Sequence, residues 1–192
     1  NREFLSGVPE IIKCGMINNN KIILMLKKQR DKCIQRNYDF LFKLIKLALK
    51  TKIKFFKNDV YEQSQRLNLN FGHTFAHAIE MSLKGKKTDL IRHGEAVGIG
   101  MLCEIYYSEE RSVIFNKIKE ILRLYNLPEN LLSLKTKKDN GLKKRIFNNI
   151  FLDKKKIGKY PRIIKISKIG KSKIIEMKNN KKIKDTINKV LF

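Results

Sequence analysis

Apolar residues recur at intervals of three and four along most of this 192-residue chain, and only three prolines and ten glycines interrupt the spacing. Side chains three and four residues apart lie on the same face of an α-helix, so the spacing predicts a mainly helical fold. A chain of 192 residues with 42% hydrophobic content can bury one ordinary core. We therefore expect a single domain over residues 1–192.

The same spacing locates the individual elements. It predicts helices near residues 8–18, 22–50 (as one helix or two), 68–83, 93–110 and 112–125, a further helical start at NLPENLL, and a short final helix near 181–191. The segment 162–177 differs, because β-branched residues stand on either side of Gly170, and this pattern predicts a small β-hairpin. The chain contains no GxGxxG or Walker loop, so we expect a nucleotide to be bound elsewhere.

The charge balance is strongly basic, with 43 Lys and Arg against 18 Asp and Glu and a formal net charge of +25. Such a balance raises the question of a nucleic-acid partner. The excess is mostly lysine, however, and it is spread along the chain rather than gathered with arginines and exposed aromatics into one patch. We therefore do not expect nucleic acid as the main partner, and a small anionic substrate would use the positive charge equally well.

The three cysteines, Cys14, Cys33 and Cys103, are widely spaced and form no CxxC pair. This pattern predicts buried free thiols in a reducing compartment. Lysine interrupts every apolar run before it reaches the roughly 18 residues that a membrane helix needs, so we expect a cytoplasmic protein without a membrane span. The chain begins at Asn1 rather than at Met, and we expect it to be a fragment or a processed product.

All three histidines of the chain, His73, His77 and His93, fall between residues 73 and 93. His73 and His77 are four residues apart, so on a helix they project from one face, which is a spacing that lets two imidazoles reach one metal ion. Thr74 stands where an HExxH protease has its glutamate, so that mechanism is excluded. The spacing alone is equally consistent with a metal site and with two polar residues in a structural role.

Glu10 is a candidate carboxylate ligand on the predicted helix near residues 8–18. It lies one turn before Lys13 in PEIIK, so one helix face would offer an acid and an ammonium group. A solvent-facing ion pair between these two residues explains the pattern as well, and the pattern alone favours it.

Four segments carry a resemblance to a known family: REFLSGVPEIIKCGMI, RLNLNFGHTFAHAIE, HGEAVGIGM and LDKKKIGKYPR. In order and approximate spacing they resemble segments of 3-dehydroquinate synthases, over almost the whole chain from Arg2 to about Gly170. The similarity is to the C-terminal, mostly helical domain of that two-domain α/β and α enzyme. It implies that the N-terminal α/β domain, which binds most of the NAD in this family, is absent from this chain.

The resemblance also implies a role for each residue that falls on a family site. The metal ligands fall on Glu10, His73 and His93. A substrate-contacting and proton-handling position falls on His77, and its acidic partner on Glu62. The substrate contacts fall on Lys13, Lys52, Arg66, Asn70, Lys154 and Lys155. A position near the NAD falls on Glu3. The resemblance therefore assigns His77 to the substrate rather than to the metal.

The implied reaction converts DAHP, a seven-carbon keto acid phosphate, to 3-dehydroquinate and phosphate, with a transient oxidation by NAD. A divalent metal, zinc or cobalt, with three protein ligands would leave coordination positions open for two substrate hydroxyls. The lysines and Arg66 would bind the carboxylate and phosphate of the substrate. Arg66 and Asn70 precede His73 by seven and three residues, which predicts that they lie two turns and one turn away on one continuous helix.

Two other interpretations stay open. Another sugar-phosphate cyclase, or a metal-dependent polyol dehydrogenase, would keep the metal and change the substrate contacts. A basic polyanion-binding domain would have structural histidines, bind no metal and bind polyanions in a salt-sensitive way. For the 3-dehydroquinate synthase that the four segments resemble, we expect a homodimer of the full-length enzyme and poor turnover by this chain alone.

Overall fold

The computed structural model describes residues 1–83, 90–109, 112–132, 134, 141–152 and 160–192. Its α-helices are α1 (Arg2–Ser6), α2 (Val8–Asn18), α3 (Asn20–Lys28), α4 (Arg30–Ile34), α5 (Tyr38–Lys57), α6 (His73–Leu83), α7 (His93–Glu109), α8 (Val113–Leu124), α9 (Leu142–Ile150) and α10 (Asn180–Thr186). A 3₁₀ helix covers Gln65–Asn70, and a π-helical turn over Ile187–Leu191 follows α10. Strands β1 (Arg162–Lys168) and β2 (Lys171–Glu176) pair antiparallel as a hairpin. The predicted mainly helical fold with one small hairpin is confirmed.

Helix α7 lies at the centre of the molecule. Every residue from Gly94 to Tyr107 is buried, so this stretch leaves no face of the helix to solvent. Helices α2, α6 and α8 and strand β1 pack around it. The hairpin also reaches α2, where the N–H of Gly170 donates to the carbonyl oxygen of Met16 at 2.9 Å. A helix enclosed on all sides has a fixed rotation, and the direction of its first residue, His93, is therefore set by the core.

Close backbone contacts at glycines bring α7 against its neighbours. A Cβ atom added at Gly100 would lie 2.0 Å from the carbonyl oxygen of Gly72, and one added at Gly94 would lie 1.6 Å from the carbonyl oxygen of Ser6. Gly72 has a φ of +84°, in the left-handed region that glycine adopts without strain. These contacts place α7 directly against the residue that precedes His73.

The prediction of one or two helices over residues 22–50 is wrong in its bounds, because three helices cover this part of the chain and the last continues to Lys57. Arg36, with a φ of +57°, lies in the turn between α4 and α5. The side chain of Asn37 then caps α5 by accepting a hydrogen bond from the N–H of Phe40 at 3.0 Å. Helical spacing of apolar residues continues across these breaks, so spacing alone did not locate them.

The prediction of a continuous helix over residues 68–83 is also wrong. A 3₁₀ helix ends at Asn70, a turn containing Gly72 follows, and α6 begins at His73. Arg66 and Asn70 therefore do not lie two turns and one turn before His73 on one helix. The positive φ of Gly72 is the physical reason, since it interrupts the right-handed helical path.

Over the last third of the chain, some elements were predicted from the sequence and others were not. NLPENLL does not begin a helix over the described residues 127–132. Pro128 disfavours helical geometry at Leu127, and the N–H of Leu131 donates to the carbonyl oxygen of Leu191 at 3.1 Å. Helix α9 was not predicted, while the hairpin and the final helical segment are confirmed.

Two further expectations concern membrane-spanning helices and the cysteine thiols. None of the described helices is long and apolar enough to cross a membrane. Cys14, Cys33 and Cys103 are buried free thiols, as the sequence predicted.

Replacement of Gly100 by alanine should destabilise the protein, because its Cβ would collide with backbone rather than with a movable side chain. We expect the free energy of unfolding to fall by about 1–3 kcal/mol, the usual cost of overpacking a core, in a denaturant titration. Gly98→Ala is the matched control, since its Cβ would meet side chains rather than backbone: the tip of Leu122 at 3.0 Å and the ring of Pro9 at the ordinary contact distance of 3.5 Å. Alanine favours a helix by about 1 kcal/mol over glycine, so Gly98→Ala should be neutral or stabilising. Equal losses in both variants would contradict this account.

Candidate metal centre

Three side chains from three helices converge at one end of α7. Glu10 lies in the first turn of α2, His73 is the first residue of α6, and His93 is the first residue of α7. One ligand atom from each residue lies within 4.8 Å of the other two. The Oε1 atom of Glu10 is 3.6 Å from Nε2 of His73, and the ring centroids of His73 and His93 are 5.3 Å apart. We refer to these three residues as the Glu10–His73–His93 cluster.

The donor atoms and spacing of this cluster fit a divalent metal. Two imidazole nitrogens and one carboxylate oxygen form a common ligand set of catalytic zinc sites, in which a fourth position stays open. Zinc ligands lie about 2.0 Å from the ion, which places them about 3.3 Å from one another in a tetrahedron. Small side-chain rotations would bring the cluster to that spacing.

His77 lies beside this cluster but is not part of it among the described residues. Its ring centroid is 5.5 Å from that of His73 and 6.3 Å from that of His93. His77 and His73 both line a cleft whose wall also includes Asn70 and Arg162. The geometry therefore separates His77 from the three converging ligand atoms and places it in the wall of this cleft.

Both imidazoles of the cluster contact an acceptor through Nδ1. The Nδ1 atom of His73 lies 3.2 Å from the carbonyl oxygen of Phe71, and that of His93 lies 3.1 Å from Oε1 of Glu80. Glu80 was not among the site residues predicted from the sequence. The signal was present, because His73, His77 and Glu80 follow the i, i+4, i+7 spacing of one helix face.

Two ammonium groups contact the carboxylate of Glu10. Nζ of Lys13 is 2.9 Å from Oε1, and Nζ of Lys52 is 3.3 Å from Oε2. The sequence left open whether Lys13 and Glu10 form a solvent-facing pair, and the structure shows that the Lys13 side chain is only 4% exposed. Burial lowers the pKa of Lys13. The pKa of Glu10 is lowered although burial alone would raise it, because Lys13 and other positive neighbours outweigh burial.

The two histidine ligands differ in their electrostatic environment. Burial, followed by the charge of Lys13, lowers the pKa of His73 to about 4. The hydrogen bond to Glu80 raises the pKa of His93, although burial acts in the opposite direction. His73 is therefore held neutral, in the form that binds metal ions, over most of the pH range.

Three more predicted site residues, Glu62, Arg66 and Asn70, lie on the segment between α5 and α6. Nδ2 of Asn70 donates to Oε1 of Glu62 at 2.6 Å. The guanidinium group of Arg66 donates to the carbonyl oxygen of Val60 at 2.6 Å and stacks over the ring of Phe56 at 4.8 Å. The pairing of Glu62 with His77 stays a prediction.

Asp59, which was not predicted from the sequence, organises this segment. Its carboxylate accepts hydrogen bonds from the backbone N–H groups of Gln63, Ser64 and Arg66 at 2.9, 2.6 and 3.0 Å. These bonds close the turn that carries Glu62, whose φ is +56°. Asp59 thereby orients two of the predicted site residues, Glu62 and Arg66, through the backbone.

Glu3 and the predicted lysine pair have different outcomes. Glu3 is exposed on α1 and forms an ion pair with Arg92, the residue before His93. Arg2 on the same helix binds the carboxylate of Glu95 at 2.7 Å, so α1 is attached to the start of α7. The proximity of Glu3 to NAD stays a prediction. Lys154 and Lys155 lie outside the described residues.

Glu104, one turn after Gly100, is completely buried against the start of α6. Its Oε2 atom accepts a hydrogen bond from the N–H of Ile164 in β1 at 2.9 Å. Burial raises the pKa of Glu104 to about 8, although the N–H groups of Ile164, Gly72 and Thr74 act in the opposite direction. Helix α7 therefore contacts both the hairpin and the residues on either side of His73 through one carboxyl group.

Comparison with known proteins identifies the family to which this chain belongs. Residues 7–156 match the profile of the family described as 3-dehydroquinate synthase C-terminal, and the chain belongs to that family. The 3-dehydroquinate synthase of Thermodesulfovibrio yellowstonii is 37% identical over 177 residues, 90% of this chain and 47% of the relative. That of Dictyoglomus turgidum is 36% identical over 179 residues, 91% of this chain and 47% of the relative. The chain thus spans about half the length of these curated relatives.

Two solved structures share this fold at low sequence identity. A 2-epi-5-epi-valiolone synthase from Streptomyces hygroscopicus subsp. jinggangensis, with NAD⁺ and Zn²⁺ bound, gives a TM-score of 0.74 at 16% identity, over 97% of this chain and 51% of that one. A 2-deoxy-scyllo-inosose synthase complexed with carbaglucose-6-phosphate, NAD⁺ and Co²⁺ gives 0.70 at 23%, over 99% and 52%. At these identities the likeness supports the fold alone.

The histidine titrations provide a test of the electrostatics. In metal-free protein, His73 should titrate near pH 4, because burial and the Lys13 ammonium group both disfavour the imidazolium form. Lys13→Met should raise this pKa, as measured by the pH dependence of the ring resonances in NMR. Lys52→Met is the control, since Lys52 is more exposed and contacts the far oxygen of Glu10. A His73 that titrates at its ordinary value of 6.5 in the wild type would contradict the assignment.

Glu104 predicts a pH dependence of stability. The native state holds a proton on this carboxyl group up to about pH 8, whereas the unfolded state loses it near 4.5. The native state therefore binds more protons between these values, and the free energy of unfolding should fall as pH rises across them. Glu104→Gln should remove this contribution, and Glu109→Gln on the same helix should keep it. A difference between wild type and Glu104→Gln that does not change with pH would be inconsistent with the raised pKa.

Proposed function

We propose that this chain supplies the metal site and most substrate contacts of a 3-dehydroquinate synthase, which converts DAHP to 3-dehydroquinate and phosphate. The observation that supports this best is the Glu10–His73–His93 cluster with two ammonium groups beside it. The cluster provides a metal-ligand set, and the ammonium groups provide charge for an anionic substrate. Membership of the family supplies the reaction to which both features correspond.

Glu10, His73 and His93 would hold a divalent metal, zinc or cobalt. When bound, such an ion acts as a Lewis acid that orients substrate hydroxyls and lowers their pKa. The neutral form of His73 favours metal binding, because a protonated imidazole would first have to lose its proton. Glu10 contributes the negative charge of the ligand set.

Lys13, Lys52 and Arg66 would bind the anionic groups of the substrate. Both lysines form ion pairs with the carboxylate of Glu10. Metal binding would satisfy that carboxylate instead, and the ammonium groups would then be available to the substrate. Arg66 presents a planar guanidinium group that can engage a carboxylate or phosphate with two hydrogen bonds. We propose the same role for Lys154 and Lys155.

His77 would handle protons in the cleft that it lines with Asn70. An imidazole can accept a proton from a hydroxyl and return it within the same site, which suits a reaction with alternating proton transfers. Glu62 is bonded to Asn70, and we propose that this pair orients the polar wall of the cleft near His77. The catalytic histidine would thus be distinct from the metal ligands.

The other parts of the full activity are proposed to lie outside residues 1–192. An α/β domain would bind most of the NAD, with Glu3 near the cofactor, and the complete enzyme would be a cytoplasmic homodimer. The chain spans 47% of its relatives, so a second half of similar size is consistent with this arrangement. This chain alone should turn over poorly, and robust NAD-dependent phosphate release by it would contradict this division.

Metal analysis of the purified chain tests the ligand assignment. We expect one equivalent of zinc or cobalt in the wild type, a loss in His73→Ala and in His93→Ala, and retention in His77→Ala. The reason is that the first two residues provide converging ligand atoms and His77 does not. Loss of equal severity in all three variants would contradict the assignment. Salt-sensitive polyanion binding without any metal would favour a polyanion-binding domain instead.

Substrate choice can be tested on the purified chain after it has been loaded with cobalt. DAHP should change the visible d–d spectrum of the ion and bind more tightly than carbaglucose-6-phosphate. A preference for the latter would favour another sugar-phosphate cyclase. Lys13→Met should weaken DAHP binding, because an ammonium group near the metal site is lost.

A further inference from the structure

Glu80 is the one described carboxylate shown in contact with a ring nitrogen of His93. It lies on α6, three residues after His77 and seven after His73, so all three side chains project from the same helix face. Its Oε1 atom is 3.1 Å from Nδ1 of His93 on the neighbouring helix α7. Glu80 therefore joins the helix of one proposed metal ligand to the side chain of another.

The chemistry of this contact determines which nitrogen of His93 carries a proton. A carboxylate can only accept hydrogen bonds, so the Nδ1 atom facing it must be the donor in the neutral ring. The lone pair is then on Nε2, which is the nitrogen that a metal can bind. Without an acceptor at Nδ1, the tautomer that carries its proton on Nε2 competes, and that tautomer cannot bind a metal through Nε2.

The same arrangement occurs at His73 with a different acceptor. There Nδ1 lies against the carbonyl oxygen of Phe71, and Nε2 is directed to Glu10 at 3.6 Å. A backbone carbonyl holds the ring of His73, which is 15% exposed, but His93 is 50% exposed and depends on a side chain. His93 is thus the ligand whose orientation a substitution can change.

We propose that Glu80 is a positioning residue, which fixes the tautomer and ring direction of His93 so that its Nε2 atom faces Glu10 and His73. This inference rests on the proposed metal site. Partners of this kind commonly change metal affinity by about 10–100-fold when they are removed. Glu80 itself is not a metal ligand in this proposal.

Three variants separate this role from its alternatives. Glu80→Ala removes the acceptor, and metal affinity in a chelator competition should fall by about 10–100-fold. Glu80→Gln keeps a carbonyl acceptor for Nδ1–H, and its affinity should be closer to that of the wild type. Glu109→Ala is the matched control, because Glu109 pairs with Lys165 at 3.0 Å and is 26% exposed, as is Glu80. Its metal affinity should not change.

The tautomer can also be read directly in metal-free protein. Two-bond ¹H–¹⁵N NMR spectra at alkaline pH should show the Nδ1–H form of His93 in the wild type and in Glu80→Gln. In Glu80→Ala the Nε2–H form should increase. A purely structural role of Glu80 would change stability without changing this ratio.

The outcomes that would overturn the inference are distinct. Equal metal affinity in the wild type and Glu80→Ala would remove the positioning role and leave the proposed function intact. An equal loss in Glu80→Gln and Glu80→Ala, with a changed cobalt spectrum, would make Glu80 a direct ligand. A wild-type chain that binds no metal would overturn the proposed function together with this inference.

Discussion

The close contact between α7 and the start of α6 is the constraint on which the rest of the structure depends. Gly100 permits the carbonyl oxygen of Gly72 to lie against α7, and Gly72 has the positive φ needed to end one segment and begin α6. Glu104 adds a buried carboxyl group against the same turn. Because α7 is enclosed on all sides, the first residues of α6 and α7 are fixed relative to each other. The convergence of His73 and His93 is thus a consequence of core packing.

Electrostatics of the site complement that packing. The cluster places a carboxylate between two imidazoles and two ammonium groups, and Lys13 is almost fully buried. The burial of His73 itself, followed by the charge of the Lys13 ammonium group, lowers the pKa of His73 and keeps its ring neutral. Glu80 supplies the second carboxylate of this region, in contact with Nδ1 of His93. A divalent cation would add positive charge to a region where Glu10 and Glu80 together supply the negative charge.

The helical fold, the hairpin around Gly170 and the three converging residues were all predicted from the sequence. The two structural predictions rest on residue patterns, whereas the set of three converging residues rests on the family resemblance. Periodicity was sufficient for the helices because burial determines which positions are apolar. It was not sufficient for the breaks at Arg36 and Gly72, where the positive φ belongs to a single residue. Spacing paired His73 with His77, since both lie on one helix face, whereas Glu10 and His93 reach the cluster only through tertiary packing. The resemblance carried that long-range information.

Residues that act through hydrogen bonds to other site residues were the hardest to predict. Asp59 accepts hydrogen bonds from three backbone N–H groups in a turn, and no periodic sequence pattern predicts a residue in this role. Glu80 was detectable in principle from its spacing to His73 and His77. Its role depends on His93, which is distant in sequence and adjacent only in the fold.

An anomalous diffraction map of zinc-loaded crystals, measured at the zinc absorption edge, tests the central claim most directly. The account predicts a single strong peak between the carboxylate of Glu10, Nε2 of His73 and Nε2 of His93, with the two nitrogens about 2.0–2.1 Å from the ion. His77 should lie outside the coordination sphere. A peak coordinated by His73 and His77 together, or no peak near these residues, would contradict it.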